Sequence, residues 1–384
     1  MYIYSQYQIN VTSIKDEPKF SFRGVMLDSS RHFLSMKVLI DQLDLMEMNK
    51  INVFHWHLTD DPSFPFQSQK FPNLTLHGAF DPITHVYTPE DVSKIIDEAR
   101  IRGIRVIPEF DTPGHTKSWE LGQPGLLTAC EDENGTKTGI YGPMDPTLRS
   151  TFAFLDEFFE EVVTRFPDKY LHIGGDEVEL TSCWNSNHQL NQVLQGWGMP
   201  YDYKGLESFY IQQLQVLLSE KSIKKQSIVW QEIFDNGGIL HPETIIEVWK
   251  GWGRGWKYEL NEVTQAGHYA ILSAPWYLNY IKYGSDWVKF YKVDPLDFGG
   301  NSTQLDYLLG GEVCLWGEFV NSINAIPRLW PRASAVAEVL WSPKADSLDS
   351  AGSRLQEHEC RMMARGYPVQ PVVGAGFCPV HWNF

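Results

Sequence analysis

The chain has 384 residues, 43% of them hydrophobic and 14% aromatic, a length and composition that bury a large core and exclude a disordered segment. Thirty-two basic against 48 acidic side chains give a formal net charge of −16, a field that repels nucleic-acid phosphates and anionic lipid surfaces and suits a neutral or cationic substrate. No stretch approaches the roughly 20 apolar residues of a membrane span, and residues 1–10 lack the basic head and apolar centre of a signal peptide.

Residues 1–18 read as an isolated strand and linker ending at Pro18, the remnant of something lost. From there short β-rich apolar runs alternate with helical patterns, as in parallel βα units. Eight runs occur, at residues 22–27, 52–57, 105–110, 170–173, 227–230, 245–249, 269–273 and 311–316. They predict an α/β fold of the (β/α)8 TIM-barrel type spanning residues 19–345, with an open doubly wound sheet as the structural alternative. Leu39, Leu43 and Met46, and Ile95, Ile96 and Ala99, recur at helical spacing and read as core-facing stripes. Residues 346–384 read as a C-terminal extension: a helix over residues 348–364, then a Pro/Gly-rich tail in which Cys360 and Cys378 could close a loop.

The five cysteines, Cys130, Cys183, Cys314, Cys360 and Cys378, lack the close Cys/His pairing of a zinc site, so neither metal nor cofactor is expected. Their odd number leaves at least one thiol free. Asn10, Asn73, Asn134 and Asn301 begin glycosylation sequons, and with the cysteines they lean towards an oxidising secretory route.

In such a barrel the chemistry lies just past the C-terminal ends of the strands. Those positions carry Asp28 and Arg31; His57, Asp60 and Asp61; Glu109, Asp111 and His115; Asp176 and Glu177; Trp230 and Glu232; Trp249; Tyr277 and Asn279; Trp316 and Glu318. One carboxylate after a strand is usually a helix cap; eight strand ends so equipped point to a site. Trp230, Trp249 and Trp316 offer flat faces that pack on the apolar C–H faces of sugars, while carboxylates and Arg bind hydroxyls. Single tryptophans often fill barrel cores, but three at strand ends favour a pocket. In Gly174-Gly175-Asp176-Glu177 two adjacent acids follow a glycine pair that lets the backbone leave strand geometry. If Glu177 is the more desolvated, it becomes the proton donor while Asp176 stays charged, a division of labour that glycosidic cleavage needs.

These residues lie in Arg23-Gly24-Val25-Met26-Leu27-Asp28-Ser29-Ser30-Arg31-His32, His55-Trp56-His57-Leu58-Thr59-Asp60-Asp61, Glu109-Phe110-Asp111-Thr112-Pro113-Gly114-His115 and Gly174-Gly175-Asp176-Glu177. Together with Trp230-Gln231-Glu232, Ala274-Pro275-Trp276-Tyr277-Leu278-Asn279 and Leu315-Trp316-Gly317-Glu318, they resemble the β-N-acetylhexosaminidases of glycoside hydrolase family twenty, in particular its animal lysosomal members. The resemblance implies exo-acting retaining hydrolysis of terminal N-acetylglucosamine or N-acetylgalactosamine, with the substrate's own 2-acetamido oxygen as nucleophile and an oxazolinium intermediate. By the same resemblance Glu177 is the acid and base, Asp176 orients the acetamido nitrogen, and Tyr277 holds its carbonyl. Trp230, Trp249 and Trp316 wall the sugar, Arg31 and Glu318 bind hydroxyls, and His115 with Asp60 tunes Glu177.

The resemblance also implies disulfides Cys130–Cys183 and Cys360–Cys378, a homo- or heterodimer in which Tyr283 reaches the partner's site, and a lysosomal or secreted glycoprotein. Its expected substrates are glycans, glycolipids or glycosaminoglycans. Residues 1–18 would then be what remains of a small α/β domain that precedes the barrel. Asn279-Tyr280 matches neither the Asn-Arg of mammalian members that take 6-sulfated sugars nor the Asp-Leu of those that prefer neutral ones, and the polar loop at residues 131–140 matches neither type. The competing functions are a chitinase-like endo hydrolase, against which Arg31 and Glu318 argue, and an inactive truncated sugar-binding form, against which the intact Asp176 and Glu177 argue.

Overall fold

The computed structural model describes residues 10–379 except 252, 254, 281, 344 and 345. The strand expected before residue 10 lies outside them, and residues 10–18 carry no regular element. Ten strands follow: β1 (Phe22–Asp28), β2 (Val53–Thr59), β3 (Arg105–Phe110), β4 (Leu127–Glu131), β5 (Lys137–Met144), β6 (Tyr170–His172), β7 (Gln226–Trp230), β8 (Ile245–Val248), β9 (Tyr269–Leu272) and β10 (Leu308–Leu315). All but β4 and β5 are parallel and close into a barrel in the order β1-β10-β9-β8-β7-β6-β3-β2. These eight are the runs read from the sequence, displaced by at most a few residues. The open-sheet alternative is excluded by the closure of β1 on both β2 and β10.

Alternation along each strand sorts side chains between the two faces. Val25, Leu27, Phe54, Trp56, Leu58, Val106, Phe110, Val229, Ile246 and Val313 pack outward into the main core with the helices. That core includes Leu39, Leu43 and Met46 from the helix Met36–Met48, whose start Ser35 caps by accepting from the Val38 backbone N–H. The inward positions form layers along the barrel axis. Phe22, Val53, Ile107, Ile228, Ile245 and Ile271 make an apolar floor. Above it stand His55, Glu109, His172, Glu247 and Glu312, all buried, and above these Met26, Trp230, Trp249, Cys314 and Trp316. Gly24 lies opposite Glu312, and a Cβ there would come within 2.3 Å of the Glu312 carboxylate. Its missing side chain makes room for a buried acid.

The polar loop expected over residues 131–140 is instead the turn and arms of an antiparallel hairpin, β4 with β5. Its signal was present as Asn134-Gly135, with Gly135 at φ +76°. Cys130 in this hairpin is bonded to Cys183, beyond Glu177, so the hairpin is tied to the chain that leaves β6. The helix Leu348–Ala364 ends the fold, with Cys360 joined to Cys378; Cys314 is the buried free thiol.

Candidate active site

Past β6 the chain turns through Gly174 (φ +71°) and Gly175 (φ +97°), conformations that glycine adopts without strain. The Gly175 N–H donates to Oδ1 of Asp111 at 2.9 Å, and a Cβ on Gly174 would lie 1.7 Å from that same oxygen. The turn sends Asp176 inward, its side chain 9% exposed, and Glu177, itself at φ +48°, outward with 61% exposed. Of the two acids Asp176 and not Glu177 is therefore the more desolvated, so the condition on which the residues alone made Glu177 the proton donor is not met. The glycine pair does bring both into one cleft, but Asp176 lies against Asp111 while Glu177 stands at the rim. Asp111 is held well above the usual carboxylate range by burial and by the neighbouring charge of Asp176.

His115, also in the left-handed region at φ +53°, sits between these acids. Its Nε2 is 3.7 Å from Asp176 and 3.7 Å from Glu177, and its Nδ1 is 3.3 Å from Asp60. Burial alone would lower its pKa, but Asp176 and Asp60 outweigh burial and push it up to about 9. Asp60 in turn accepts from His57 Nε2 at 2.9 Å and lies 2.7 Å from a guanidinium nitrogen of Arg31. Burial opposes its ionisation, yet the bonds from His115 and His57 and the charge of Arg31 hold it far below the usual range. Arg31 also pairs with Asp28 at 3.0 Å and lies over the Trp316 ring at 4.9 Å. The other bond of that Asp28 oxygen comes from the Gly317 N–H at 2.9 Å, which places the exposed Glu318 beside Arg31.

Four rings adjoin one another above this floor. Centroids are 6.4 Å apart for Trp230 and Trp249, 5.9 Å for Trp230 and Trp316, 6.0 Å for Trp249 and Tyr277, and 6.4 Å for Tyr277 and Trp316. At this box the Tyr277 hydroxyl, one oxygen of Asp176 and the Asn279 amide oxygen are buried with no hydrogen-bond partner among the described residues. Tyr280 stacks on Tyr277 at 6.3 Å and is exposed, and Tyr283 stands fully in solvent. The fold thus gathers Arg31, Asp60, His115, Asp176, Glu177, Trp230, Trp249, Tyr277 and Trp316. Asn279 and Glu318 lie at the edge, and Tyr283 lies outside.

Sequence reasoning named Glu109 and His57 at the strand ends but missed the rest of the polar layer beneath, His55, His172, Glu247 and Glu312. Glu109, buried under the box, accepts from the Trp230 indole at 2.7 Å and from His57 at 2.6 Å, with His55 at 2.9 Å. Burial opposes its charge, but His57, His172 and His55 hold it far below the usual range. Burial and Glu109 act oppositely on His57, and Glu109 prevails, pushing it up to about 10. His172 is pushed down to about 3 by burial, with His55 and His57 adding to the effect. The available signal was period-two placement of His and Glu inside strand runs, at His55 and His57, and at Glu312 two residues before Cys314.

Groups close enough to share an ion are His55–Glu109–His172, His55–Glu247–Glu312, Asp60–Asp61–His115 and Asp111–His115–Asp176. In the first three of these groups one carboxylate is engaged by other side chains: Glu109 by His57 and Trp230, Glu312 by His55, and Asp60 by Arg31 and His57.

The sequence signature described as "Glycosyl hydrolase family 20, catalytic domain" matches residues 20–344. The chain is 51% identical over 376 residues to beta-hexosaminidase subunit beta of Mus musculus, covering 98% of this chain and 69% of that protein. It is likewise 51% identical over 376 residues to the Homo sapiens subunit beta, with 98% of this chain and 66% of that protein covered. Among solved structures it resembles Flavobacterium johnsoniae chitobiase, with TM-score 0.80 and 30% identity over 91% of this chain and 52% of that one. It also resembles an exo beta-N-acetylglucosaminidase from Vibrio harveyi in complex with N-acetylglucosamine, with TM-score 0.80 and 26% identity over 93% of this chain and 60% of that one. The chain therefore spans about half to two thirds of the lengths of these relatives.

Proposed function

The chain belongs to glycosyl hydrolase family 20, and from that membership we propose that it is an exo-acting retaining β-N-acetylhexosaminidase that uses the substrate's own acetamido group as nucleophile. The observation that carries this reading is the aromatic box, in which the Tyr277 hydroxyl and one Asp176 oxygen are buried with no hydrogen-bond partner among the described residues. A secondary amide needs an acceptor for its N–H, a donor for its C=O and a dry wall for its methyl group. Asp176, Tyr277 and the tryptophans supply these three.

In this mechanism the amide oxygen attacks the anomeric carbon as the glycosidic C–O bond breaks. The proton of the Glu177 carboxylic acid goes to the departing oxygen. Charge that develops on the amide nitrogen is met by Asp176. Glu177, now a carboxylate, takes a proton from water as the water opens the oxazolinium ring, and two inversions give net retention. The exposure of Glu177 suits this role: it stands at the rim, where a leaving group would cover it and exclude water. Asp60 and Arg31 keep His115 positioned between the two acids.

Arg31, fixed by Asp28 and Asp60, closes the box against a longer non-reducing chain, which supports release of single terminal sugars from glycans, glycolipids or glycosaminoglycans. A dimer with Tyr283 reaching the partner, glycosylation and a lysosomal or secreted location belong to the same proposal and rest on the resemblance. The test is turnover of an aryl β-N-acetylglucosaminide and of chitin oligomers. Release of N-acetylglucosamine one unit at a time is expected; internal fragments, or binding without turnover, would defeat the reading.

A further inference from the structure

Trp249 begins a run, Trp249 to Gly255, in which Gly253 and Gly255 take φ values of +72° and +79°. The chain grips this point from the preceding strand. The side-chain carbonyl of Gln231 accepts from the backbone N–H of Trp249 at 3.0 Å and of Lys250 at 2.8 Å, while its amide donates to Asp235 at 3.1 Å. Glu232, buried, accepts from the Trp249 indole N–H at 2.7 Å with one oxygen and meets the Lys250 ammonium at 3.2 Å with the other. Backbone and indole of one wall are thus clamped by the two residues that follow β7.

We propose that Gln231 and Glu232 are positioning residues that hold Trp249 as the wall of the amide box and so set the size of N-acyl group the protein accepts. The inference rests on the reading of that box given above. Without the Glu232 carboxylate the indole N–H loses the acceptor that fixes its direction and would turn towards water. The ring would follow, and the box would widen on the side where the acyl chain ends. Gln at position 232 keeps an acceptor for the indole and loses only the pairing with Lys250. Trp249 also stacks beside Tyr277 at 6.0 Å, so movement of the one loosens the donor to the amide oxygen.

The experiment compares aryl glycosides bearing N-acetyl and N-butanoyl groups on the wild type, Glu232→Ala, Glu232→Gln and Gln231→Ala. The wild type is expected to prefer N-acetyl by roughly a hundredfold or more, the scale of two methylenes against a rigid wall. Glu232→Ala and Gln231→Ala should narrow that preference at least about fivefold, with Glu232→Gln in between. A fall of both substrates by one factor would reduce the pair to a structural role and overturn the proposal. The protein labelled with 5-fluorotryptophan supplies a second readout, independent of turnover: the Trp249 fluorine signal, assigned by its loss in Trp249→Phe, should shift or broaden in Glu232→Ala. An unchanged signal overturns the proposal even where that variant is poorly active. A wild type inert towards every N-acyl glycoside would defeat the underlying reading instead.

Discussion

At the scale of residues, the two adjacent acids have separable roles. In the proposed mechanism Glu177 acts on the leaving group, so Glu177→Gln should cost about a thousandfold in kcat/KM on a disaccharide, within the usual range for general acid catalysis. It should cost far less on a dinitrophenyl glycoside, which needs no proton to depart. Equal losses on the two would remove Glu177 from this role. Asp176→Asn weakens formation of the cyclic intermediate and should slow both substrates alike. By the resemblance to the mammalian members, Asn279 and the exposed Tyr280 stand where those members carry Asn-Arg or Asp-Leu. Asn279 offers no carboxylate to repel a sulfate, and Tyr280 offers no fixed cation to attract one. Tyr280→Arg should raise the kcat/KM ratio of 6-sulfated to neutral aryl glycoside by about tenfold, the worth of one charge-assisted contact. A ratio that stays put in this variant and in Asn279→Asp would mean that the pair does not face the 6-position.

At the scale of elements, the strand runs are legible in the sequence because eight short apolar segments return at barrel spacing, and the polar groups past their ends stand out against them. Asp60, Asp176 and Trp249 were found in this way. The hairpin of β4 and β5 was not, since its exposed arm, Lys137 to Tyr141, has no apolar alternation to announce a strand. Nor was the layer of His55, His172, Glu247 and Glu312, because histidine and glutamate inside a strand read as surface positions until the barrel closes around them. The depth of the two acids was equally hidden, being set by φ values at Gly174, Gly175 and Glu177 rather than by residue type. The turn itself is testable. Gly174→Ala would force a Cβ into Asp111 at positive φ, a cost of about 3 kcal/mol from overpacking and backbone strain together. Its denaturation midpoint should drop accordingly and its turnover with it; a variant as stable as the wild type would show that the turn is not held against Asp111.

At the scale of the whole molecule, charge and shape make separate statements. His57 and His115 are raised from 6.5 to about 10 and about 9, so their contribution to stability is complete below pH 6.5 and is lost as pH rises through 9 to 10. His172, lowered from 6.5 to about 3, acts oppositely and is lost as pH falls through that range, but it is one group against three, since His55 is raised as well. The melting temperature should therefore be higher at pH 6 than at pH 10, and a rise over that interval would contradict the charged state of the interior. Beyond the ends of the neighbouring strands β9 and β10, Tyr283, Phe319 and Ile323 are strongly exposed, and the proposed dimer would cover Tyr283. Sedimentation should show a dimer, and Tyr283→Phe should lower activity with little change in melting; a fully active monomer would refute this part. What unites the barrel, the box and the acids is the claim that the substrate supplies its own nucleophile. The most direct test is kcat/KM on aryl glycosides whose N-acetyl group carries none, one, two or three fluorines. Fluorine withdraws electrons from the amide oxygen while scarcely changing the size of the group. The account predicts a steep fall with each fluorine, steeper than any change in binding of the corresponding free sugars. A flat series would mean that a group of the protein attacks the sugar, and would contradict it.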